Sequence, residues 1–289
     1  MMLLMLIGAS FAGDPEPIQV DPDLDLWVAA DQTTPFPVNR DGLRGGQSHH
    51  LRGRQLMGLS IQNETITLRT GVGITEHLLY GEDWQIGQTI DERHPGPDAQ
   101  TQFRLRQLSV AAQLPVAQVE TGLTTSHWGL GMLANDGAHD PYFGTTEFGD
   151  RVVRARITTK PIADGPWFIT AAADRVIQDE QTVDPRRQWT RQGILSLLWK
   201  EDEHAAGLYG VVRRQDEMDV GRYTKVGVID AYGDTQIQIG DDTRIQIAAE
   251  VAAISGKTNR STSYNSPRRL NIRSLGATGF TMLSHDWFG

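Results

Sequence analysis

Along Arg151 to Lys160 the chain reads RVVRARITTK, with Val153, Ala155, Ile157 and Thr159 alternating with Arg154, Arg156, Thr158 and Lys160. A repeat of two puts the first set on one face of a strand and the mainly cationic set on the other. The same alternation predicts strands at 23–31, 50–61, 64–77, 101–114, 117–133, 151–161, 166–178, 188–200, 204–215, 222–239, 242–257 and 268–284. Short links fall near Gln62-Asn63, Pro115-Val116, Ala163-Asp164-Gly165, Glu201-Asp202-Glu203 and Gly240-Asp241. Longer ones, rich in Asp, Pro, Gly, Arg and Asn, fall at 32–49, 78–100, 134–150, 179–187, 216–221 and 258–267. Strict alternation of short and long links is the form of an all-β, antiparallel up-and-down transmembrane barrel, with tight periplasmic turns and extended extracellular loops.

Side-chain parity supports a wall with lipid on one side. In 188–200, Trp189, Leu195, Leu197 and Trp199 oppose Thr190, Gln192, Ser196 and Lys200. Two tryptophans so spaced on a tilted strand lie about 25 Å apart along the membrane normal, so Trp167, Trp189 and Trp199 are expected at the membrane interfaces. Arg191 shares their face near a loop, where its stem can snorkel. In 242–257, Ile245, Ile247, Ala249, Val251 and Ala253 oppose Arg244, Gln246, Ala248 and Glu250. A soluble sandwich alternates too, but the many outward alanines and glycines would fill its core poorly and these strands are long for one. The pore-lining residues expected from parity are Arg154, Arg156, Lys160, Asp174, Arg213, Asp230, Asp234, Arg244, Glu250 and Arg273. Such a mixed-charge wall selects solutes in an open pore and neutralises itself in a closed one.

Composition fits once the wall is a sheet. Only 39% of residues are hydrophobic, mean hydropathy is −0.37, and no apolar run after the start is long enough for a spanning helix; a strand needs an apolar residue only at every second position. The absence of cysteine excludes disulfides and thiolate metal sites. A net charge of −9 with no basic stripe interleaved with aromatics argues against a nucleic-acid partner. Residues 1–12, MMLLMLIGASFA, have the small residues before Gly13 that signal cleavage requires, which assigns 13–289 to the barrel; a buried N-terminal strand or helix is the competing reading. The chain stops at His285-Asp286-Trp287-Phe288-Gly289 without a visible closing strand, so an incomplete barrel truncated at the C-terminus is expected.

At FRLRQLSVAAQLPVAQVETGLTTSHWGLGMLANDG, residues 103–137, the sequence resembles the strand-turn-strand of porin-like outer-membrane β-barrel proteins. It is most similar to an uncharacterised outer-membrane family known mainly from myxobacteria, through Ser126-His127-Trp128-Gly129-Leu130-Gly131 and Leu133-Ala134-Asn135-Asp136-Gly137. The resemblance implies a barrel in the outer membrane of a Gram-negative bacterium and brings no catalytic residues.

Other motifs support less. Gly129 and Gly131 alternate on a predicted strand, where close packing explains them better than a ligand. Asp136, Asp140, Glu147 and Asp150 supply oxygens for calcium, yet the twelve-residue calcium-loop pattern is missing, and a solvated loop is the simpler reading. His49-His50 and Ser126-His127 are adjacent residues that point to opposite faces of a strand, which disfavours a metal site in the first and a hydrolase in the second. The expectation is therefore a porin-like channel for passive diffusion of small hydrophilic solutes. It needs no enzyme activity, metal or cofactor, and its partners are outer-membrane lipid and the solutes. A plugged structural or adhesion barrel that binds through its loops is the first alternative and a barrel hydrolase the second.

Overall fold

The computed structural model describes residues 18–33, 36–37, 44–45, 48–81, 104–136, 150–162, 165–179, 188–218, 220–240, 242–260 and 269–285. The long strands are β1 (Gln19–Thr33), β4 (Ser48–Gln62), β5 (Ile66–Gly81), β6 (Arg104–Gln113), β7 (Ala117–Thr125), β8 (Arg151–Thr159), β9 (Trp167–Gln178), β10 (Gln188–Glu201), β11 (His204–Glu217), β12 (Arg222–Ile239), β13 (Thr243–Thr258) and β14 (Leu270–His285). Between the first two, β2 (Phe36–Pro37) and β3 (Arg44–Gly45) form a separate minimal pair. The twelve long strands make one antiparallel sheet in chain order, β1-β4-β5-β6-β7-β8-β9-β10-β11-β12-β13-β14. This is the expected up-and-down meander. Among the described residues β1 and β14 are not paired with each other. The predicted strand 117–133 is the one large correction: β7 ends at Thr125, and the residues after it leave the sheet.

The wall curves. Arg104 on β6 reaches Gln178 on β9 at 3.5 Å across two intervening strands. Its two faces are sorted the opposite way from a soluble protein. Leu275, Ile229, Leu195 and Val212 on the outer face are 76%, 70%, 62% and 62% exposed, whereas Asp230 and Glu250 on the inner face are fully buried. Exposed apolar side chains continue around the outside through Val110, Val119, Val153, Ile157, Leu208, Ile247 and Val251. An apolar area of this extent needs a covering medium, because exposed apolar surface in water is unfavourable at about 25 cal/mol per Å².

Candidate functional site

Backbone register assembles the inner face into lateral rows. One row runs around the wall through Asp21, Ser60, Arg69, Ser109, Gly122, Arg154, Asp174, Gln192, Arg213, Val226, Gly256 and Ile272. From β1 to β11 it is mostly polar or charged, and from β12 to β14 it is not.

The charges in the wall are largely bonded to one another. Arg154 donates to both carboxylate oxygens of Asp174, each at 2.7 Å, and to Ser126 Oγ at 2.9 Å. Gln192 donates to the same Asp174 at 3.0 Å. Arg156 pairs with buried Glu120, and Arg213 pairs with Asp179. Asp234 accepts from Gln246 at 3.0 Å and from the Tyr232 hydroxyl at 3.2 Å. Bidentate and charge-assisted bonds of this kind fix side chains as well as neutralise them.

Across this wall lies the segment that follows β7. Residues 126–135 fold back on themselves, with Trp128 N donating to Ala134 O at 3.0 Å and Gly131 N to Trp128 O at 3.0 Å. The turn is carried inward until Trp128 stacks on Tyr209 of β11, centroids 4.9 Å apart, and meets Tyr232 of β12 edge-on. Trp128 Nε1 donates to Asp230 Oδ1 at 3.0 Å, and Leu130 N donates to Glu250 Oε2 on β13. Trp128, Ala134, Ile194, Tyr209 and Val211 form a small apolar core between segment and wall. Two glycines permit this approach. A Cβ on Gly207 would lie 2.7 Å from the Trp128 ring, and one on Gly129, whose φ is +56°, would lie 2.6 Å from Glu250. Beside the segment a cavity of about 480 Å³ is lined by Asn135, Asp179, Gln192, Arg213 and Arg260, with Val211, Val228 and Ile254 below them.

Seven of the residues singled out from parity, Arg154, Arg156, Asp174, Arg213, Asp230, Asp234 and Glu250, stand on the inner face. Lys160 lies just past β8, with Nζ 4.8 Å above the Phe168 ring. Arg244 lies beside the β12–β13 turn, its Nε 3.4 Å from Gln238. Both mark the rim with short turns. Arg273 is a correction: it pairs in register with outward Ser255, so its side chain belongs to the outer face. Parity counted from the sequence failed there because the inner face of β14 carries small or apolar residues, Ile272, Ser274 and Gly276, and offers no contrast. Trp167 and Trp199 are direct cross-strand partners on the outer face at the short-turn end, and Trp189 stands at the opposite end.

Inner residues not anticipated include Arg69, Arg104, Arg106 and Glu120. On β6 a bulge opposite Gly71 and Val72 breaks the count of two, so that Arg106 and Ser109 face the same way. Ser126 is bonded to Arg154, and His127 Nε2 lies 3.1 Å from Gly129 O, so the two side chains serve different partners. The side chains of His49 and His50 and most of the acidic loop weighed and disfavoured as a calcium site, including Asp140 and Glu147, lie outside the described residues.

No protein-family model and no curated protein matches the sequence. Among solved structures, OmpT, an outer membrane protein of Vibrio cholerae in its trimer form, is similar over 93% of this chain and 99% of its own, at 10% identity and a TM-score of 0.36. OmpF of Salmonella typhi in complex with daunomycin is similar over 90% and 97%, at 11% identity and a TM-score of 0.32. At these values the likeness carries no argument, and the strand order and two-faced wall stand on the structure itself.

Proposed function

We propose that the chain is an outer-membrane β-barrel of a Gram-negative bacterium that passes small hydrophilic solutes by diffusion, with no chemical step and no cofactor. The observation that carries this reading is the pairing of opposite faces in one wall: an exposed apolar exterior against an interior row rich in charged and amide side chains. Lipid would cover the first, and water and solute the second. The segment 126–135 narrows the interior from one side, so it sets the size of what passes. Membership in the myxobacterial barrel family, suggested by residues 126–137, and export directed by residues 1–12 belong to the same proposal.

The second reading, a plugged structural barrel, draws support from the apolar core that fixes this segment. One experiment separates them. Protein recovered from outer membranes, with heat-modifiable gel migration, is fused into a planar bilayer. Stepwise conductance is expected, and correctly inserted protein with none would leave the plugged barrel. Recovery as a soluble monomer without detergent would remove both.

A further inference from the structure

One lateral row on the outer face breaks the apolar pattern. Arg175, Arg191, Arg214, Lys225 and Lys257, from β9 to β13, are consecutive cross-strand partners, and all five are exposed. Arg273, found on this same face, stands one row nearer the membrane centre on β14. Strands are spaced by about 4.8 Å, so the five cations extend over about 19 Å. Like charges placed directly opposite each other across strands repel, and a run of five has no intrinsic reason to persist in a sheet. Asp216, bonded to Arg214 at 2.9 Å, offsets one of them. Arg175 lies over the Trp189 ring at 3.9 Å, which places the row level with the aromatic residue at the long-loop end. Its distance from the Trp167–Trp199 pair, eight residues along β10, is about 20 Å along the normal of a tilted strand, so it sits at the boundary between hydrocarbon and headgroups.

Just inside the row the wall is shallow. Ala173, Gly193, Val212, Gly227 and Ser255 are the next cross-strand set. An added Cβ on Gly193 would meet nothing within 4 Å, and one on Gly227 only a backbone oxygen at 4.0 Å. A trough of small side chains below a bank of cations suits a lipid whose headgroup is anionic at several points and whose chains lie flat against the wall.

We infer that this row binds the phosphates of a phosphorylated glycolipid in the leaflet on the long-loop side. The inference rests on the membrane reading above. Guanidinium groups match phosphate with paired hydrogen bonds and ammonium groups match it as point charges. A multiply phosphorylated headgroup neutralises neighbouring strands together, which a single zwitterionic headgroup does not.

The test uses the full chain in detergent, with bisphosphorylated lipid A, its dephosphorylated form and phosphatidylcholine as probes, and reads bound lipid by native mass spectrometry. Wild-type protein should retain the bisphosphorylated form selectively. Each cation near an anionic lipid surface strengthens attachment by about fivefold, so the Arg191→Gln, Lys225→Gln, Lys257→Gln triple variant should bind it about a hundredfold more weakly. Flotation of both proteins on phosphatidylcholine vesicles is measured in parallel and should be equal. Equal retention by wild type and variant, or no preference for the phosphorylated probe, overturns the inference while leaving the barrel intact. Failure of the wild type to float overturns the membrane reading and the inference with it.

Discussion

Arg154 holds Asp174 by two parallel hydrogen bonds and Ser126 by a third, and all three side chains are buried. Without the guanidinium, Asp174 would be left in a poorly solvated place with the neutral amide of Gln192 as its remaining side-chain donor among the described residues. Arg154→Ala should therefore lower stability by about 3–5 kcal/mol, and the paired Arg154→Met, Asp174→Leu replacement by far less, since breaking one side of a buried ion pair costs more than removing both. Urea unfolding in lipid vesicles checks this, and a loss under about 1 kcal/mol for the alanine variant would mean that water reaches the pair. Arg154, Arg156 and Arg213 each have a carboxylate partner, so their fields fall off as those of dipoles. That these residues point inward was legible from alternation. Their pairing was not, because Glu120 meets Arg156 only once the β7–β8 register is fixed, and Asp179, just past the end of β9, meets Arg213 only once β11 is placed beyond β10.

At the scale of an element, strand positions followed closely from the repeat of two, and β12 has the predicted limits of 222–239. The segment after β7 did not follow. Trp-Gly-Leu-Gly continues the strand's alternation of apolar and small residues, so nothing local says that the sheet stops at Thr125. The deciding partners, Asp230 and Glu250, are 102 and 120 residues away from Trp128 and Leu130. Close packing explains Gly129, which lies on a turn and not on a strand, whereas a Cβ on Gly131 would meet nothing nearer than 3.5 Å and its φ of +83° is what calls for glycine. If the segment is the constriction, loosening it should widen the path. Trp128→Ala should raise single-channel conductance and its noise, while strand content by circular dichroism stays unchanged. Gly129→Ala, which places a methyl against Glu250 and strains a left-handed residue, should act in the same direction. Unchanged conductance in both would assign the limiting aperture to another part of the interior.

For the whole molecule, every long strand pairs with its neighbours in the chain. Short-range pairing of this kind keeps closure entropy low and lets a hairpin be the unit that is added. The docking of Trp128 on β11 and β12 is of another kind, since it needs strands that come about a hundred residues later. Time order follows. In refolding into vesicles, strand formation should precede burial of this indole, so the fluorescence change lost in Trp128→Phe should lag behind circular dichroism. Coincident signals would show that wall and segment form together. On the channel reading proposed above, such a lag would leave the newborn wall at its widest between the two events, and a cell assembling it would be briefly leaky until one tryptophan arrived.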